Sequence, residues 1–215
     1  MAGKYPVTPK GEFFWSHIMT PDTTFKAEGL YHIKLRLRGE EAENFKKLVD
    51  DAHTNWKEKC LQNNTKKTWQ EYLPYKKNMD AEGMEDGIDF HFKLKASGTN
   101  GRTGQTYTQR PVVVGPDKTP LPNDLKVGNR SNGKIAYELA PYEHGTTLGI
   151  QLRLRMVQVI TLEHYVGDGN ASDVFDVEEG DLDLDRNLAE GMFNKEGAPF
   201  STDSPDLTQQ NSGDF

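Results

Sequence analysis

Positively charged side chains recur at every second position in three segments of the chain. The segments are LYHIKLRLR (residues 30–38), IDFHFKLKAS (88–97) and LGIQLRLRMVQVITL (148–162). Because successive side chains of a β-strand point to opposite faces, each segment predicts a strand with one apolar and one basic face. Basic sheet faces indicate contacts with a polyanion through its phosphate oxygens. The candidate phosphate-binding residues are Lys34, Arg36, Arg38, Lys93, Lys95, Arg153 and Arg155.

Aromatic residues are interleaved with lysines in the segment KKTWQEYLPYKK, residues 66–77. Rings stack on unpaired bases with about 1–3 kcal/mol per base, and cations meet the phosphates, so this mixture is typical of proteins that bind single strands. A further ring, Trp15, is expected to share one face of the first strand with Phe13 and His17. The candidate stacking residues are Trp15, Trp69, Tyr72, Tyr75 and Tyr142.

Two motifs that would indicate an enzyme do not meet the requirements of the chemistry. GNRSNGK (residues 128–134) has the spacing of a phosphate-binding loop, but Ile135 stands where the magnesium-binding Ser or Thr is needed, and a strand follows. The acidic residues of the segment 80–89 fit no metal-ligand spacing, and the six histidines show no zinc spacing. We therefore expect a protein that is not an enzyme, with no catalytic residue, metal or cofactor.

The pattern of elements predicts a mainly β fold. Further strands are expected at residues 13–19, 106–114 and 134–142, and one helix at 40–61, where apolar residues recur at helical spacing. GTNGRTG (residues 98–104) predicts a loop. Many short strands with a single helix favour an OB-fold-like Greek-key barrel with one inserted α-helix.

Charge divides the chain into two parts. Residues 1–165 hold 24 basic and 20 acidic side chains, whereas residues 166–215 hold 2 and 13. We expect residues 1–165 to form the binding domain and residues 166–215 to be a disordered acidic tail, able to compete with a polyanion for the basic faces. The alternative is that the tail only aids solubility.

Several segments together resemble the phage replication single-stranded DNA-binding proteins of short-tailed phages of the T-seven kind. YELAPY (residues 137–142), Gly145 and residues 148–162 resemble the last barrel strands of that family. Residues 89–97, VVV at 112–114, Pro21-Asp22 and residues 29–37 follow in the matching order. The resemblance covers roughly residues 12–165 and the last few residues, which end on Asp214-Phe215.

The resemblance implies an OB fold that binds single-stranded DNA without sequence preference in phage DNA replication, recombination and repair. It places Lys93, Lys95 and Tyr142 where the family meets DNA. It also implies a tail that docks on phage DNA polymerase and helicase-primase, with Asp214 and Phe215 as partner-binding residues. The tail departs from the family because few acidic residues follow Glu196.

The expected location is the cytoplasm of the infected bacterial host, with no membrane contact. The chain has a single cysteine, Cys60, no signal-peptide core and no apolar run of bilayer length. The sequence leaves open whether the protein forms a homodimer. It also leaves two alternative functions open: that of an RNA-binding OB-fold protein and, less favoured, that of a metal-dependent nuclease.

Overall fold

The computed structural model describes residues 5–63, 68–101 and 103–163, which form ten strands and one helix. The elements are β1 (Gly11–Asp22), β2 (Leu30–Leu37), α1 (Gly39–Asn63), β3 (Gln70–Tyr72), β4 (Tyr75–Met79), β5 (Glu85–Lys95), β6 (Ser97–Thr99), β7 (Thr106–Thr108), β8 (Val112–Val114), β9 (Asn132–His144) and β10 (Thr147–Thr161).

Five of the strands close into a barrel in the order β1-β2-β5-β10-β9. Neighbouring strands are antiparallel, except that β5 and β10 pair in parallel. This is the arrangement of an OB fold, so the fold predicted from the sequence is confirmed.

Strand alternation fills the barrel interior with apolar side chains. Along β2, Tyr31, Ile33, Leu35 and Leu37 are all buried while the residues between them are half-buried. Helix α1 adds Phe45, whose ring centroid lies 4.7 Å from that of Phe90 and 5.4 Å from that of Tyr137. The helix therefore contributes directly to the core, as its helical spacing predicted.

Close strand approach explains the glycine-rich segment that resembled a phosphate-binding loop. A Cβ atom on Gly133 would lie 2.0 Å from the carbonyl oxygen of Gln158 and 2.5 Å from the ring of Phe13. Only glycine fits where β1, β9 and β10 meet, so this residue is needed for barrel closure rather than for phosphate binding.

The edges of the sheet differ from the sequence prediction. Strand β10 pairs in succession with β3, β5 and β8, and β4 pairs with β5; the short strands β3 and β4 were not predicted. Residues 106–114, predicted as one strand, form β7 and β8 with Pro111 between them. Of the predicted loop at 98–104, Gly98 and Thr99 belong to β6 and pair with β7, and the described residues Asn100, Gly101, Thr103 and Gly104 lie between the two strands.

Alternation also fails at one position of β10. The alternation predicted for residues 148–162 places Met156 on the apolar face with Leu154, but the register shifts between these residues and Met156 is exposed, while Val157 is buried. A β-bulge, which inserts one unpaired residue, reverses the facing of the residues that follow it.

The predicted tail, residues 166–215 with Asp214 and Phe215, lies outside the described residues, as does the lysine pair at 66–67. No helix in the described part of the chain is both long and apolar enough to cross a membrane.

Candidate nucleic-acid interface

The outer sides of β2, β5 and β10 bring basic residues next to one another. His32 lies opposite Lys93, Lys34 lies opposite His91, and Lys93 is also paired in register with Arg153. Directly opposed residues on one face of a sheet have Cβ atoms about 4.5–5.5 Å apart, so these side chains share one continuous surface. We call it the basic face and define it by Lys34, Lys93, Lys95, Arg153 and Arg155.

Positive charge is not neutralised on the β5 side of the basic face. Among the described residues, neither Lys93 nor Lys95 forms an ion pair with a carboxylate. Arg153 and Arg155 share one carboxylate, because Glu138 Oε1 lies 3.5 Å from Arg153 Nη1 and Glu138 Oε2 accepts a hydrogen bond of 3.1 Å from Arg155 Nε. Two guanidinium groups against one carboxylate leave a net positive charge.

A cleft of about 540 Å³ lies between β5, β7 and β10. It is lined by Leu94, Lys95, Tyr107, Gln109, Gln151, Arg153 and Arg155. Cations, amides and a phenol together suit a sugar–phosphate backbone, because phosphate oxygens accept hydrogen bonds from all of these donors.

Arg36 and Arg38, also predicted to bind phosphate, are held by acidic side chains. Arg36 Nε donates to Asp89 Oδ1 at 2.7 Å, and Arg38 Nε donates to Asp86 Oδ1 at the same distance. Arg38 Nη1 also lies 3.1 Å from Glu12 Oε1. The hydrogen bond that Arg36 donates to Asp89 raises the pKa of Arg36, and the hydrogen bond that Asp86 accepts from Arg38 lowers the pKa of Asp86.

This network accounts for two of the acidic residues that were weighed as metal ligands. Asp86 and Asp89 serve as counterions for arginines. Because the charges of Arg36 and Arg38 are compensated, we leave both residues out of the basic face.

Trp15 stands at the edge of the basic face with its side chain 65 % exposed. A register shift in β1 follows Phe14, and Trp15 has a φ of 51°, in the left-handed region. The expected sharing of one strand face is therefore wrong: Phe13 is fully buried, and Trp15 points outward. The ammonium group of Lys34 lies 5.7 Å from the centroid of the indole ring.

Three other predicted rings gather where β3 meets β9 and β10. The ring centroids of Tyr72 and Tyr142 are 6.4 Å apart, and the Trp69 indole donates a 3.3 Å hydrogen bond to Glu143. Tyr142 lies opposite Gly149, whose Cβ, if present, would be 2.9 Å from the phenol oxygen. Burial raises the pKa of the half-buried Tyr142. Tyr72 and Tyr142 both pair in register with Gly149, which lies four residues before Arg153 on β10, so these rings extend the surface past the basic face.

The side chain of Tyr75 is held by contacts with α1 and with the core. Its hydroxyl donates a 2.6 Å hydrogen bond to Asp50 of α1, and its ring centroid lies 5.7 Å from that of Phe90. Burial, followed by the hydrogen bond to Asp50, raises the pKa of Tyr75 to about 12. The side chain joins β4 to the helix, so we leave it out of the interface.

The histidines between the lysines contribute little charge at neutral pH. Burial is the largest cause that lowers the pKa of His32 and of His91, and the neighbouring positive charges of Lys93 and Lys34 act in the same direction. The positive charge of the interface therefore comes from its lysines and arginines.

Sequence reasoning missed three residues that line the cleft and one exposed aromatic residue elsewhere on the barrel. Tyr107, Gln109 and Gln151 line the cleft but carry no charge and no motif. Phe25, in the loop between β1 and β2, is 90 % exposed. The sequence could have indicated Phe25, since it is the one aromatic residue in the polar stretch PDTTFKAEG.

No family model and no curated protein matches this sequence. Solved structures do match. The single-stranded DNA-binding protein gp2.5 of bacteriophage T7 superposes with a TM-score of 0.63 at 21% identity, over 85% of this chain and 100% of that one. The single-stranded DNA-binding protein of bacteriophage Enc34 superposes with a TM-score of 0.52 at 16% identity, over 79% of this chain and 89% of that one.

A second structure of the Enc34 protein, in complex with single-stranded DNA, matches with a TM-score of 0.52 at 14% identity, over 75% of this chain and 88% of that one. At these identities the likeness concerns the fold. The resemblance indicated by the sequence motifs is thus confirmed at that level: this chain has the OB-type barrel of phage single-stranded DNA-binding proteins.

Proposed function

We propose that this protein binds single-stranded DNA without sequence preference through the basic face. The observation that carries the proposal is the pair of uncompensated lysines, Lys93 and Lys95, beside the cleft that contains Arg153 and Arg155. An OB barrel with its charge on the β2–β5 side has the binding surface usual for this fold. The fold shared with two phage single-stranded DNA-binding proteins supports the same ligand.

Exposed rings favour a single strand over a duplex. Trp15 and Phe25 present aromatic surface to solvent on the β1 side, and Tyr72 and Tyr142 do so in part on the β9–β10 side. Rings can stack only on bases that are not already stacked in a helix. Lysine contacts to phosphate carry no base information, so binding without sequence preference follows.

In the biological setting, we propose that the protein coats exposed template during phage DNA replication, recombination and repair in the cytoplasm of an infected bacterium. The proposal extends the function that the matched phage proteins carry in their names. The acidic segment 166–215 would then recruit phage DNA polymerase and helicase-primase, with Phe215 as an apolar anchor. Its composition, 13 acidic against 2 basic residues, is the support for this part.

The test is a salt-dependent titration with a labelled single-stranded oligonucleotide. For single strands, the logarithm of affinity falls by about 0.7 per neutralised phosphate for each tenfold rise in salt. Replacement of both Lys93 and Lys95 by Ala should weaken binding and reduce that slope by up to about 1.4. The matched control replaces Lys47 and Lys59, two exposed lysines of α1, with the same loss of charge. An unchanged slope, or an equal loss in the control, would contradict the proposed face.

The rival functions are separated in the same experiment. An RNA oligomer of identical sequence should compete more weakly than DNA, and equal competition would contradict a DNA-specific role. The labelled strand should remain intact after incubation with Mg²⁺, whereas cleavage would identify a nuclease.

A further inference from the structure

Two histidines and an aspartate meet on the outside of β1 and β2, next to the basic face. The ligand atoms of His17, Asp22 and His32 all lie within 4.8 Å of one another. His32 Nε2 lies 3.4 Å from Asp22 Oδ2, and the ring centroids of the two histidines are 4.7 Å apart.

Irregular pairing creates this cluster. His17 lies opposite His32, and in an unbroken antiparallel ladder Asp22 would then lie opposite Ala27. Register shifts on β1 instead place Asp22 opposite Leu30, two residues from His32. Bulges redirect side chains in this way and are common next to functional sites. The sequence predicted no zinc site because the ligands become neighbours only through strand pairing.

We propose that His17, Asp22 and His32 bind a divalent transition-metal ion of the zinc type. Two imidazole nitrogens and one carboxylate oxygen form a ligand set that such ions prefer, with a further coordination position open to solvent or to a ligand. Ligand atoms around a tetrahedral zinc ion are about 3.3–3.5 Å apart, given bonds of about 2.0–2.2 Å. Closure from the present separation needs a movement of at most about 1.5 Å, which side-chain rotation of the exposed His17 can provide.

The carboxylate is already oriented for this role. The backbone N–H of Thr24 donates a 2.9 Å hydrogen bond to Asp22 Oδ1, which leaves Oδ2 directed at His32. Outer contacts of this kind fix the direction of metal ligands.

The open side of the cluster faces a cleft of about 490 Å³, which His17 and Asp22 line together with residues 123–127. Ser16 lines the same cleft, and its hydroxyl makes no hydrogen bond to any described residue. The site can therefore accept a metal-bound water or phosphate in its fourth position. One feature opposes it: the ammonium group of Lys93 lies across from His32 and repels a cation.

An ion at this position would join β1 to β2 across the bulges that hold Trp15 outward. A metal that binds the folded chain and not the unfolded chain stabilises the fold by mass action. The alternative is that the three residues only satisfy each other, through the hydrogen bond between Asp22 and His32.

The test uses Zn²⁺ alone, added to tag-free full-length protein without DNA, so that its failure leaves the DNA-binding proposal untouched. Calorimetry or competition with a chromophoric chelator should give one Zn²⁺ per chain. His17→Ala and His32→Ala should weaken binding by at least the about 10–100-fold that loss of an outer-shell contact costs. His144→Ala, which removes an exposed histidine at the end of β9, is the matched control and should bind as the native chain does.

Thermal unfolding gives a second readout in case a histidine variant is unstable. Asp22→Asn keeps the shape of the side chain and should lose the rise in Tm that Zn²⁺ gives the native chain and the control. The inference is overturned if the native chain binds no Zn²⁺, or if His17→Ala, His32→Ala and Asp22→Asn all bind it as tightly as His144→Ala.

Discussion

The backbone of Trp15 provides a way to separate the stacking function of its ring from the stability of the fold. A φ of 51° is costly for a bulky residue, by roughly 1–2 kcal/mol. The conformation is held from outside, since the side-chain oxygen of Asn129 accepts a 2.9 Å hydrogen bond from the Trp15 N–H. A strained backbone that presents an exposed ring suggests a residue kept for binding rather than for folding.

Two substitutions at this position separate the loss of the ring from the release of the backbone strain. Trp15→Ala and Trp15→Gly both remove the ring, which is mostly exposed, so both lose the same small buried area and the same contact with Lys34. Alanine keeps the left-handed strain, whereas glycine releases it but gives the unfolded chain more freedom, worth about 0.5–1 kcal/mol. The glycine variant should therefore be more stable than the alanine variant by about 1 kcal/mol, as measured by urea denaturation.

Single-stranded DNA binding should respond differently. Both variants lose one stacking platform, worth about 1–3 kcal/mol, which corresponds to about a 5- to 150-fold weaker Kd. The loss should be equal in the two variants because neither carries a ring, and fluorescence anisotropy with a labelled oligonucleotide measures it. Native affinity in both variants would refute the stacking role of Trp15. Equal stability of the two variants would refute the inferred strain.

Two further predictions concern residues outside the basic face. The folded protein raises the pKa of Tyr75 to about 12, while an unfolded tyrosine titrates near 10. The contribution of Tyr75 to the free energy of unfolding should therefore be fully present below pH 10 and decrease as the pH rises towards 12. Urea denaturation should show that the free energy of unfolding of Tyr75→Phe decreases less between about pH 10 and about pH 12 than that of the native chain. Deletion of residues 166–215, which removes a net charge of −11, should tighten DNA binding most at low salt, where screening is weak. Unchanged affinity at every salt concentration would favour a solubility role for the segment.

Strand periodicity was sufficient to predict the barrel. A strict alternation of apolar and polar residues fixes which side of β2 and β5 is buried, and the pairing of Ile33 with Phe92 agrees with it. The prediction failed where one residue was inserted. The bulges at Trp15 and Met156 leave no mark in composition, because they depend on the length of the partner strand.

Charge could be counted from the sequence, but its compensation could not. Arg36 and Asp89 are far apart in sequence and become neighbours only through the β2–β5 register. Lys93 and Arg36 are equivalent in a pattern of alternating basic residues, yet only the arginine meets a carboxylate. Which cations remain available for a polyanion therefore depends on long-range pairing. For the same reason the metal-ligand cluster on β1 and β2 was not visible as a spacing motif.

The carboxylates make the two ends of β5 differ in charge. At one end of β5, Asp86 and Asp89 neutralise Arg36 and Arg38, and at the other end Lys95 is uncompensated. If this compensation excludes DNA from the first end, then Asp86→Asn should partly release Arg38, which retains only Glu12. We expect tighter binding of single-stranded DNA and a salt slope steeper by up to about 0.7.

Glu58→Gln, on the exposed side of α1, changes net charge by the same amount and is the matched control. It should leave both quantities nearly unchanged, because Glu58 pairs with no basic side chain of the described residues, so its replacement releases no cation. An equal gain in the two variants would mean that DNA responds to the net charge of the protein. The ion pairs of Asp86 would then have no part in setting where on the barrel the strand lies.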